Sequence, residues 1–228
     1  MRVDKYTKLL LHCNGADTSQ VFFDEALKTV TANGGVQIDT AQYKFHGASG
    51  LFDGTGDYLS LADSDDWDFG TGDWTIDFWI RRNGAAAYRG LIGGAAGSSG
   101  GWTIGTPNDT TGKIVLTSKA SGSWAFDLMT SSAPADLTWT HVAFVRNGNT
   151  LDVYLDGVNK GTKNVTGYTY NSAGGGIVIG RLYTGTNNYY WNGHIDEIRI
   201  SKGIARWTAA FTPPTREYRE HGFFTFNG

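Results

Sequence analysis

The chain has 228 residues, of which 32 are glycine, 14% are aromatic and only 18% are charged. This composition favours many short strands joined by tight turns and excludes a helical bundle or a disordered chain. At this length an all-β sandwich folds as a single domain. The formal net charge is -3 and no run of lysine and arginine occurs, so the sequence argues against nucleic acid or an anionic membrane as a partner.

The amino-terminal residues, 1–13, mix charged side chains with one short apolar run at residues 9–11. Such a segment is neither the core of a signal peptide nor a membrane span. Cys13 is the single cysteine, so an internal disulfide is excluded. We therefore expect folding in a reducing cytoplasm, either as a cytoplasmic protein or as a virion component made in a host cell.

Residues 73–81 give the clearest strand pattern, because apolar side chains alternate with more polar ones. We expect one face of this strand to lie in the core, with Trp74, Ile76, Phe78 and Ile80 pointing inward. Further along, residues 139–146 and 151–155 flank Asn147-Gly148-Asn149. Asparagine and glycine tolerate positive φ, so this arrangement predicts a β-hairpin.

The carboxyl-terminal part contains one more predicted strand, residues 193–200, before Thr212-Pro213-Pro214 ends regular structure. The sequence thus predicts one domain over residues 1–214 and a tail over residues 215–228. Phe223, Phe224 and Phe226 lie in that tail, which we expect to be either flexible or a docking segment.

Several motifs, in order, resemble the laminin-G-like domains of the concanavalin A-like lectin/glucanase group. They are GLFDGTGDYL at 50–59, GDWTIDFW at 72–79, WTHVA at 139–143, VYLDG at 153–157 and GHIDEIRI at 193–200. The resemblance covers roughly residues 8 to 214 and implies an all-β, two-sheet antiparallel jelly-roll sandwich. LLLHCNGAD at 9–17 and IRISKGIARW at 198–207 are similar to the versions common in bacteriophage structural proteins, which implies a virion location.

This architecture hosts lectins, glycosidases and structural units, so function has to be read from the residues. A retaining glycosidase needs two carboxyl groups about 5 Å apart, and the glucanases carry theirs in a Glu-x-Asp-x-x-Glu arrangement. The glutamates here are Glu25, Glu197, Glu217 and Glu220, without that spacing. The five histidines are scattered and show no zinc-binding spacing. We therefore expect a protein that is not an enzyme.

A structural calcium site is the best-supported metal hypothesis. Asp196 has the same strand parity as Ile198 and Ile200, so its carboxylate is expected to point inward and to need a partner. The resemblance supports Ca²⁺, because glucanase relatives bind a structural calcium through such an aspartate and backbone carbonyl groups. By this resemblance Asp196 matches the carboxylate and Gly54 a backbone carbonyl donor, while Asp57 is a weaker candidate ligand. Alternatively, Asp196 accepts backbone N–H bonds or pairs with Arg199 or Lys202.

Residues 181–191, RLYTGTNNYYW, form the segment best suited to ligand binding. Aromatic rings stack on the apolar faces of sugars, and arginine and amide groups bond to their hydroxyls. The candidate ligand-binding residues are Arg181, Tyr183, Asn187, Asn188, Tyr189 and Tyr190, with Tyr168 and Tyr170 on a second aromatic loop. The alternative is that many of these rings pack on the sandwich.

Two functions remain open from the sequence. The first is a non-enzymatic module that binds a glycan or a host-surface receptor as part of a phage tail fibre or capsid. The second is a structural decoration or oligomerisation protein of a virion, with other virion proteins or further copies of itself as partners.

Overall fold

A computed structural model describes residues 3–84, 88–94, 101–118, 125–172, 174–183 and 187–218. Their regular structure consists of β-strands and one 3₁₀ turn, Asp65–Trp67. The strands in chain order are β1 Thr7–Leu11, β2 Thr31–Asn33, β3 Gln37–Asp39, β4 Ser49–Asp53, β5 Tyr58–Leu61, β6 Trp74–Arg82, β7 Gly90–Gly94, β8 Trp102–Gly105, β9 Val115–Ser118, β10 Ala125–Met129, β11 Thr140–Asn147, β12 Thr150–Leu155, β13 Val158–Asn164, β14 Ile177–Ile179, β15 Arg181–Tyr183, β16 Asn188–Tyr190 and β17 Asn192–Lys202.

The strands form two large antiparallel sheets and one small hairpin. The first sheet has the order β13-β12-β11-β6-β17-β4-β3, and β1 also pairs with β17. The second sheet has the order β10-β9-β8-β7-β14-β5-β2, and β15 pairs with β16 by themselves. The predicted all-β, two-sheet antiparallel jelly-roll sandwich is thereby confirmed. In the described part of the chain, no helix has the length and hydropathy that crossing a bilayer would require.

The hydrophobic core lies between the two sheets and follows the predicted alternation. Trp74, Ile76, Phe78 and Ile80 of β6 are each at most 1% exposed and belong to one continuous apolar cluster. The same cluster includes Ile104, Leu116 and Ile177 from the second sheet. The hairpin predicted across residues 147–149 is also present, since β11 and β12 pair in register from Asn147↔Thr150 to Val142↔Leu155.

A β-bulge interrupts β17 and reverses one expectation. Asp196 pairs with Trp79 while Arg199 pairs with Asp77, so β17 has one residue more than β6 between these pairs. Ile195 and Ile198 therefore both lie in the core, and Asp196 lies on the outer face beside Trp79. The predicted inward orientation of Asp196 is wrong because parity counted back from Ile198 ignores the inserted residue.

The carboxyl-terminal segment covers the outer face of the first sheet. Trp207 and Phe211 stack with ring centroids 4.0 Å apart and pack against Ala143 and Tyr154. The Phe211 N–H also donates to the Gly157 carbonyl. Both faces of the first sheet are therefore buried in this region, one against the second sheet and the other against residues 205–211.

A buried ion pair lies under this cover. Arg199 donates to both carboxylate oxygens of Asp77 at 3.0 and 3.2 Å, and Asp77 is 0% exposed. The Tyr218 hydroxyl donates to the same carboxylate, and the Arg199 guanidinium lies 3.6 Å from the Tyr218 ring centroid. Packed structure thus extends past residue 214, where we placed the domain boundary, as far as Tyr218. Residues 219–228, including Phe223, Phe224 and Phe226, lie outside the described residues.

The β15–β16 hairpin lies directly against β7. A Cβ atom added to Gly90 would come within 2.1 Å of the Arg181 carbonyl carbon and of the Leu182 nitrogen. Only glycine at position 90 leaves room for this approach of two backbones. The next residue after the hairpin, Trp191, is 2% exposed and joins the core, so the hairpin is anchored to the sandwich at its base.

We expect Asp77→Asn to destabilise the fold, because the Arg199 guanidinium would stay buried without a counter-charge, which costs about 3–5 kcal/mol. Burial by itself raises the pKa of Asp77, but Arg199 and His141 hold it down at about 2. The folded-state pKa lies below the ordinary value of 3.8. The stabilisation by the ion pair is therefore fully present above that ordinary value, and it is lost as the pH falls through about 2.

Urea unfolding of the wild type and of Asp77→Asn between pH 2 and pH 7 measures this effect. The variant should unfold at a lower urea concentration near neutral pH, and the difference should shrink toward pH 2. Asp152→Asn is the matched control, because Asp152 on β12 accepts hydrogen bonds from the exposed side chains of Asn159 and Thr162. Equal unfolding midpoints for Asp77→Asn and the control would contradict the interpretation.

We expect Gly90→Ala to push the β15–β16 hairpin away from β7 and to lower the free energy of unfolding by about 1–3 kcal/mol, as overpacking does. Gly72→Ala is the control, since a Cβ there would meet only the Phe69 carbonyl oxygen at 3.4 Å. Denaturant unfolding of both variants compares their stabilities. A Gly90→Ala protein as stable as Gly72→Ala would show that the close approach is not required.

Candidate functional site

The β15–β16 hairpin gathers most of the residues that the sequence put forward for ligand binding. Arg181 pairs with Tyr190, and Tyr183 pairs with Asn188. Asn187 and Asn188 are exposed at the tip, while Tyr189 and Tyr190 are partly buried. Residues 184–186 of the predicted loop lie outside the described residues.

One face of the hairpin brings Arg181 and Tyr190 together with Tyr58. The Arg181 guanidinium lies 4.0 Å from the ring centroid of Tyr58, which is a favourable cation–π distance. Tyr58 and Tyr190 have their ring centroids 6.5 Å apart. Tyr58 is the first residue of β5, so this face joins the hairpin to the start of that strand in the second sheet.

The opposite face of the hairpin carries a second ring pair. Tyr189 and Tyr88 have ring centroids 4.9 Å apart with an interplanar angle of 34°. Neighbouring residues of a strand point to opposite faces, so Tyr189 and Tyr190 serve different pairs. All four tyrosines and Arg181 are partly exposed. We call Tyr58, Tyr88, Arg181, Tyr189 and Tyr190 the hairpin site.

Arg89 anchors the backbone of the hairpin site at Tyr190. Its Nη1 donates to the Tyr190 carbonyl at 2.6 Å and, at 3.4 Å, to the Gly54 carbonyl. The backbone of Arg89 accepts from Thr106 and thereby joins the end of β8. Sequence reasoning missed Tyr58, Tyr88 and Arg89, because they lie some 90 to 130 residues before the hairpin and no periodicity links them to it.

The second predicted aromatic loop does not join the hairpin site. Tyr170 is 1% exposed and packs edge-on against Trp74 at 5.4 Å, so its assignment to ligand binding is wrong. Tyr168 packs against the core and lies under Lys163 at 5.0 Å. Antiparallel pairing of β14 with β5 puts residues 170–172 beyond the Leu61 end and the hairpin beyond the Tyr58 end, so the two loops lie at opposite ends of the sandwich.

The three residues predicted to bind calcium do not converge. Asp196 accepts the backbone N–H groups of Lys44, Phe45 and Glu197 at 2.8–3.3 Å, which matches the alternative reading of this residue. Asp57 accepts instead from the backbone of Gly35 and Asp53. Asn192 pairs with Asp53, so Gly54 lies about five strand residues, roughly 16 Å, from Asp196.

Burial has an electrostatic consequence for Asp196. Desolvation, together with the neighbouring Glu197 carboxylate, raises the pKa of Asp196 to about 8 despite the three backbone donors. These donors tie the loop at residues 44–45 to β17, so this carboxylate has a structural role. Calcium binding by the domain stays a prediction, and the set of Asp196, Gly54 and Asp57 does not form a common cage.

Comparison with solved structures places the chain among β-sandwich domains of low sequence identity. The binding domain of Paraclostridial Mosquitocidal Protein 1 has a TM-score of 0.66 and 17% identity over 87% of this chain and 49% of that one. Domain 4 of AbnA, a GH43 extracellular arabinanase from Geobacillus stearothermophilus solved with arabinotriose, has a TM-score of 0.64 and 20% identity over 88% and 95%.

The receptor binding domain of the botulinum neurotoxin C/D mosaic serotype has a TM-score of 0.64 and 15% identity over 88% of this chain and 49% of that chain. The chain thus spans about half the length of the two toxin domains. These likenesses establish the fold. A search of curated protein sequences gives no match.

The family comparison agrees with the architecture and with the motifs in the sequence. The laminin-G-like family described as the concanavalin A-like lectin/glucanases superfamily matches residues 53–206. This stretch runs from the end of β4 to beyond β17 and includes β5, β7 and the hairpin. The chain belongs to the concanavalin A-like lectin/glucanases superfamily.

Proposed function

We propose that this protein is a non-enzymatic binding module that recognises a glycan, free or on a cell-surface receptor, through the hairpin site. The proposal rests on two pairs of partly exposed tyrosines, one pair on each face of the hairpin. Arg181 lies on one of these faces, against Tyr58. Exposed Asn188 at the tip adds an amide beside the rings.

The chemistry of the hairpin site suits a carbohydrate better than an apolar ligand. Tyrosine offers an apolar ring face and a polar hydroxyl, so it contacts both the C–H face and the hydroxyl groups of a sugar. Arginine and asparagine supply planar groups that donate to adjacent hydroxyls. The anchored backbone, held by Arg89 and by the close approach at Gly90, limits the ordering cost of binding.

The structural neighbours support the same class of function. One neighbour was solved with arabinotriose, and two are named binding domains of toxins. Their sequence identities of 15–20% are too low to transfer a ligand. They support a binding module as the function of a chain with this fold, while the choice of the hairpin as the contact surface rests on its own residues.

Hydrolysis would require two carboxyl groups facing the bound sugar. Asp57, an acid close to the hairpin site in sequence, is 2% exposed, and its oxygens accept backbone N–H groups. This carboxyl group is therefore occupied in holding the chain. A position in a phage tail fibre or capsid, expected from residues 9–17 and 198–207, is part of the proposal and would make a host-surface glycan the natural partner.

The test is a glycan-array screen followed by calorimetric titration of the strongest hit, with arabinotriose included as a probe. We expect Tyr189→Ala and Arg181→Ala each to weaken binding about tenfold or more, the effect of losing roughly 1.4 kcal/mol at a contact hot spot. Their melting temperatures should stay near that of the wild type, since both side chains are partly exposed.

Tyr43→Ala is the matched control, because Tyr43 is 51% exposed and lies in the loop near Asp196 rather than at the hairpin. Tyr88→Ala and Tyr58→Ala then show which face of the hairpin holds the sugar. Normal binding by all four hairpin-site variants would move the contact elsewhere. A wild-type protein that binds no glycan at all would overturn the proposal.

A second candidate function is self-association, as expected for a virion decoration or oligomerisation protein. Three apolar side chains of one short segment are exposed to solvent, Val21 at 54%, Phe23 at 73% and Leu27 at 78%. Phe22 between them is in the core, so the segment is held in place while its neighbours face outward. Clusters of this kind mark contact surfaces between proteins.

If this second function holds, the solution mass of the wild type should rise above that of one chain with concentration, and the double substitution Phe23→Ser, Leu27→Ser should abolish the rise. Sedimentation equilibrium at several concentrations measures it. The double substitution Val158→Ser, Leu137→Ser, at two other exposed apolar positions, is the control. A monomeric wild type at every concentration would exclude self-association.

A further inference from the structure

The side chains of His12, Glu197 and Glu217 converge on the outer side of the first sheet, and His46 lies beside Glu217. His12 follows β1, His46 lies between β3 and β4, Glu197 is in the bulge of β17, and Glu217 lies in the carboxyl-terminal segment. The candidate ligand atoms of His12, Glu197 and Glu217 all lie within 4.8 Å of one another. We infer that this cluster binds one divalent transition-metal ion, with Zn²⁺ as the best-suited ion.

The distances suit a small coordination sphere. His12 Nδ1 lies 2.7 Å from Glu197 Oε1 and 4.0 Å from Glu217 Oε2. His46 Nε2 lies 3.2 Å from Glu217 Oε1. Ligand atoms of a tetrahedral zinc ion, bound at about 2.0–2.1 Å, lie about 3.3 Å apart. Adjustments of less than about 1 Å in side-chain position would therefore admit the ion.

The side chains at one end of the cluster are buried and those at the other end are exposed, as expected for a metal site that opens to solvent. The side chain of Glu197 is 1% exposed and that of His12 13%, while Glu217 is 26% and His46 59% exposed. An ion can therefore enter past His46 and meet two pre-placed ligands at the inner end. The two carboxylates also lie close together in a partly buried place, and a bound cation would offset the cost of burying their charges.

Outer contacts orient the ligands, as they do around most protein metal ions. The Tyr218 backbone N–H donates to Glu197 Oε2 at 2.8 Å, and Asn14 Nδ2 donates to Glu217 Oε2 at 3.0 Å. The first bond leaves Glu197 Oε1 directed at His12, and the second positions Glu217 Oε2, the oxygen that lies 4.0 Å from His12 Nδ1. The backbone is also held in a costly conformation here, because Glu197 and His46 have φ of 51° and 52°, in the region that favours glycine.

The donor types select the metal. The His12 imidazole and the two carboxylates, with the His46 imidazole beside Glu217, match the nitrogen and oxygen ligands of zinc. Calcium takes six to eight oxygen ligands instead. This site therefore differs in its ligands and in its chemistry from the calcium site expected at Asp196, Gly54 and Asp57. A bound ion would fasten the carboxyl-terminal segment, through Glu217, to the end of β1 and to β17.

Zinc titration of chelator-treated wild-type protein by calorimetry tests the inference without any glycan present. We expect one Zn²⁺ per chain, a rise in melting temperature on addition of Zn²⁺, and no displacement by a large excess of Ca²⁺. Co²⁺ in place of Zn²⁺ should give the visible absorption of a four- or five-coordinate ion. Glu217→Ala and His12→Ala should each weaken zinc binding at least tenfold, and His46→Ala by less.

His194→Ala is the matched control, since His194 forms the same kind of pair with Asp39 at 2.9 Å but belongs to no such three-ligand group among the residues that the structure describes. It should leave zinc affinity unchanged. If His12→Ala fails to fold, Glu217→Ala decides, because its side chain lies closer to the surface. Absence of stoichiometric Zn²⁺ binding, or binding that both Glu217→Ala and His46→Ala leave intact, would show that the cluster is an ion-pair network only.

Discussion

The bulge in β17 is the constraint on which the rest of the first sheet depends. One inserted residue lets Ile195 and Ile198 both enter the core, and it directs Asp196 and Glu197 to the outer face. Asp196 then holds the loop at residues 44–45. Glu197 then holds His12 and the backbone of Tyr218. A regular strand would have turned one of these carboxylates toward the core, where neither water nor a donor could satisfy it.

The bulge also explains how a sheet with two buried faces is assembled. Directly after it, Arg199 resumes the alternation and meets Asp77 on β6. The pair gives Tyr218 a carboxylate to donate to, and the stacked Trp207 and Phe211 cover Ala143 and Tyr154 beside it. The outer layer is therefore a chain of contacts that begins at the inserted residue and continues along the carboxyl-terminal segment.

The sequence predicted those parts of the structure in which side-chain alternation is regular. β6 alternates regularly because it contains no inserted residue. Its core residues Trp74, Ile76, Phe78 and Ile80 could therefore be assigned from spacing alone. Asp196 could not, because a bulge changes parity without leaving a glycine or proline as a signal. Glu197 itself adopts a positive φ, which its residue type does not suggest.

The candidate sites show a second limit of reading the sequence. Arg181, Tyr189 and Tyr190 were found because they are neighbours in one segment, whereas Tyr58 and Tyr88 reach the same place only through strand pairing. His12 and Glu197 are 185 residues apart, and the spacing of histidines along the chain carries no trace of their contact. Tyr170 was misassigned for the converse reason, since a tyrosine that fills a core has the same local sequence as one that faces solvent.

The central place of β17 has a consequence for how the chain acquires its structure during synthesis. β17 lies between β6 and β4 and also pairs with β1, yet it is the last strand of the described chain. At roughly 5–20 residues per second, a ribosome would need on the order of 10–40 s to pass from β1 to β17. Until β17 emerges, β1, β4 and β6 each lack this neighbour from the time they leave the ribosome. Most contacts of the first sheet with β17 join distant parts of the chain, which favours slow folding. The first sheet can therefore be completed only after almost the whole sandwich has left the ribosome, and chaperone capture of the nascent chain would be most valuable just before that point.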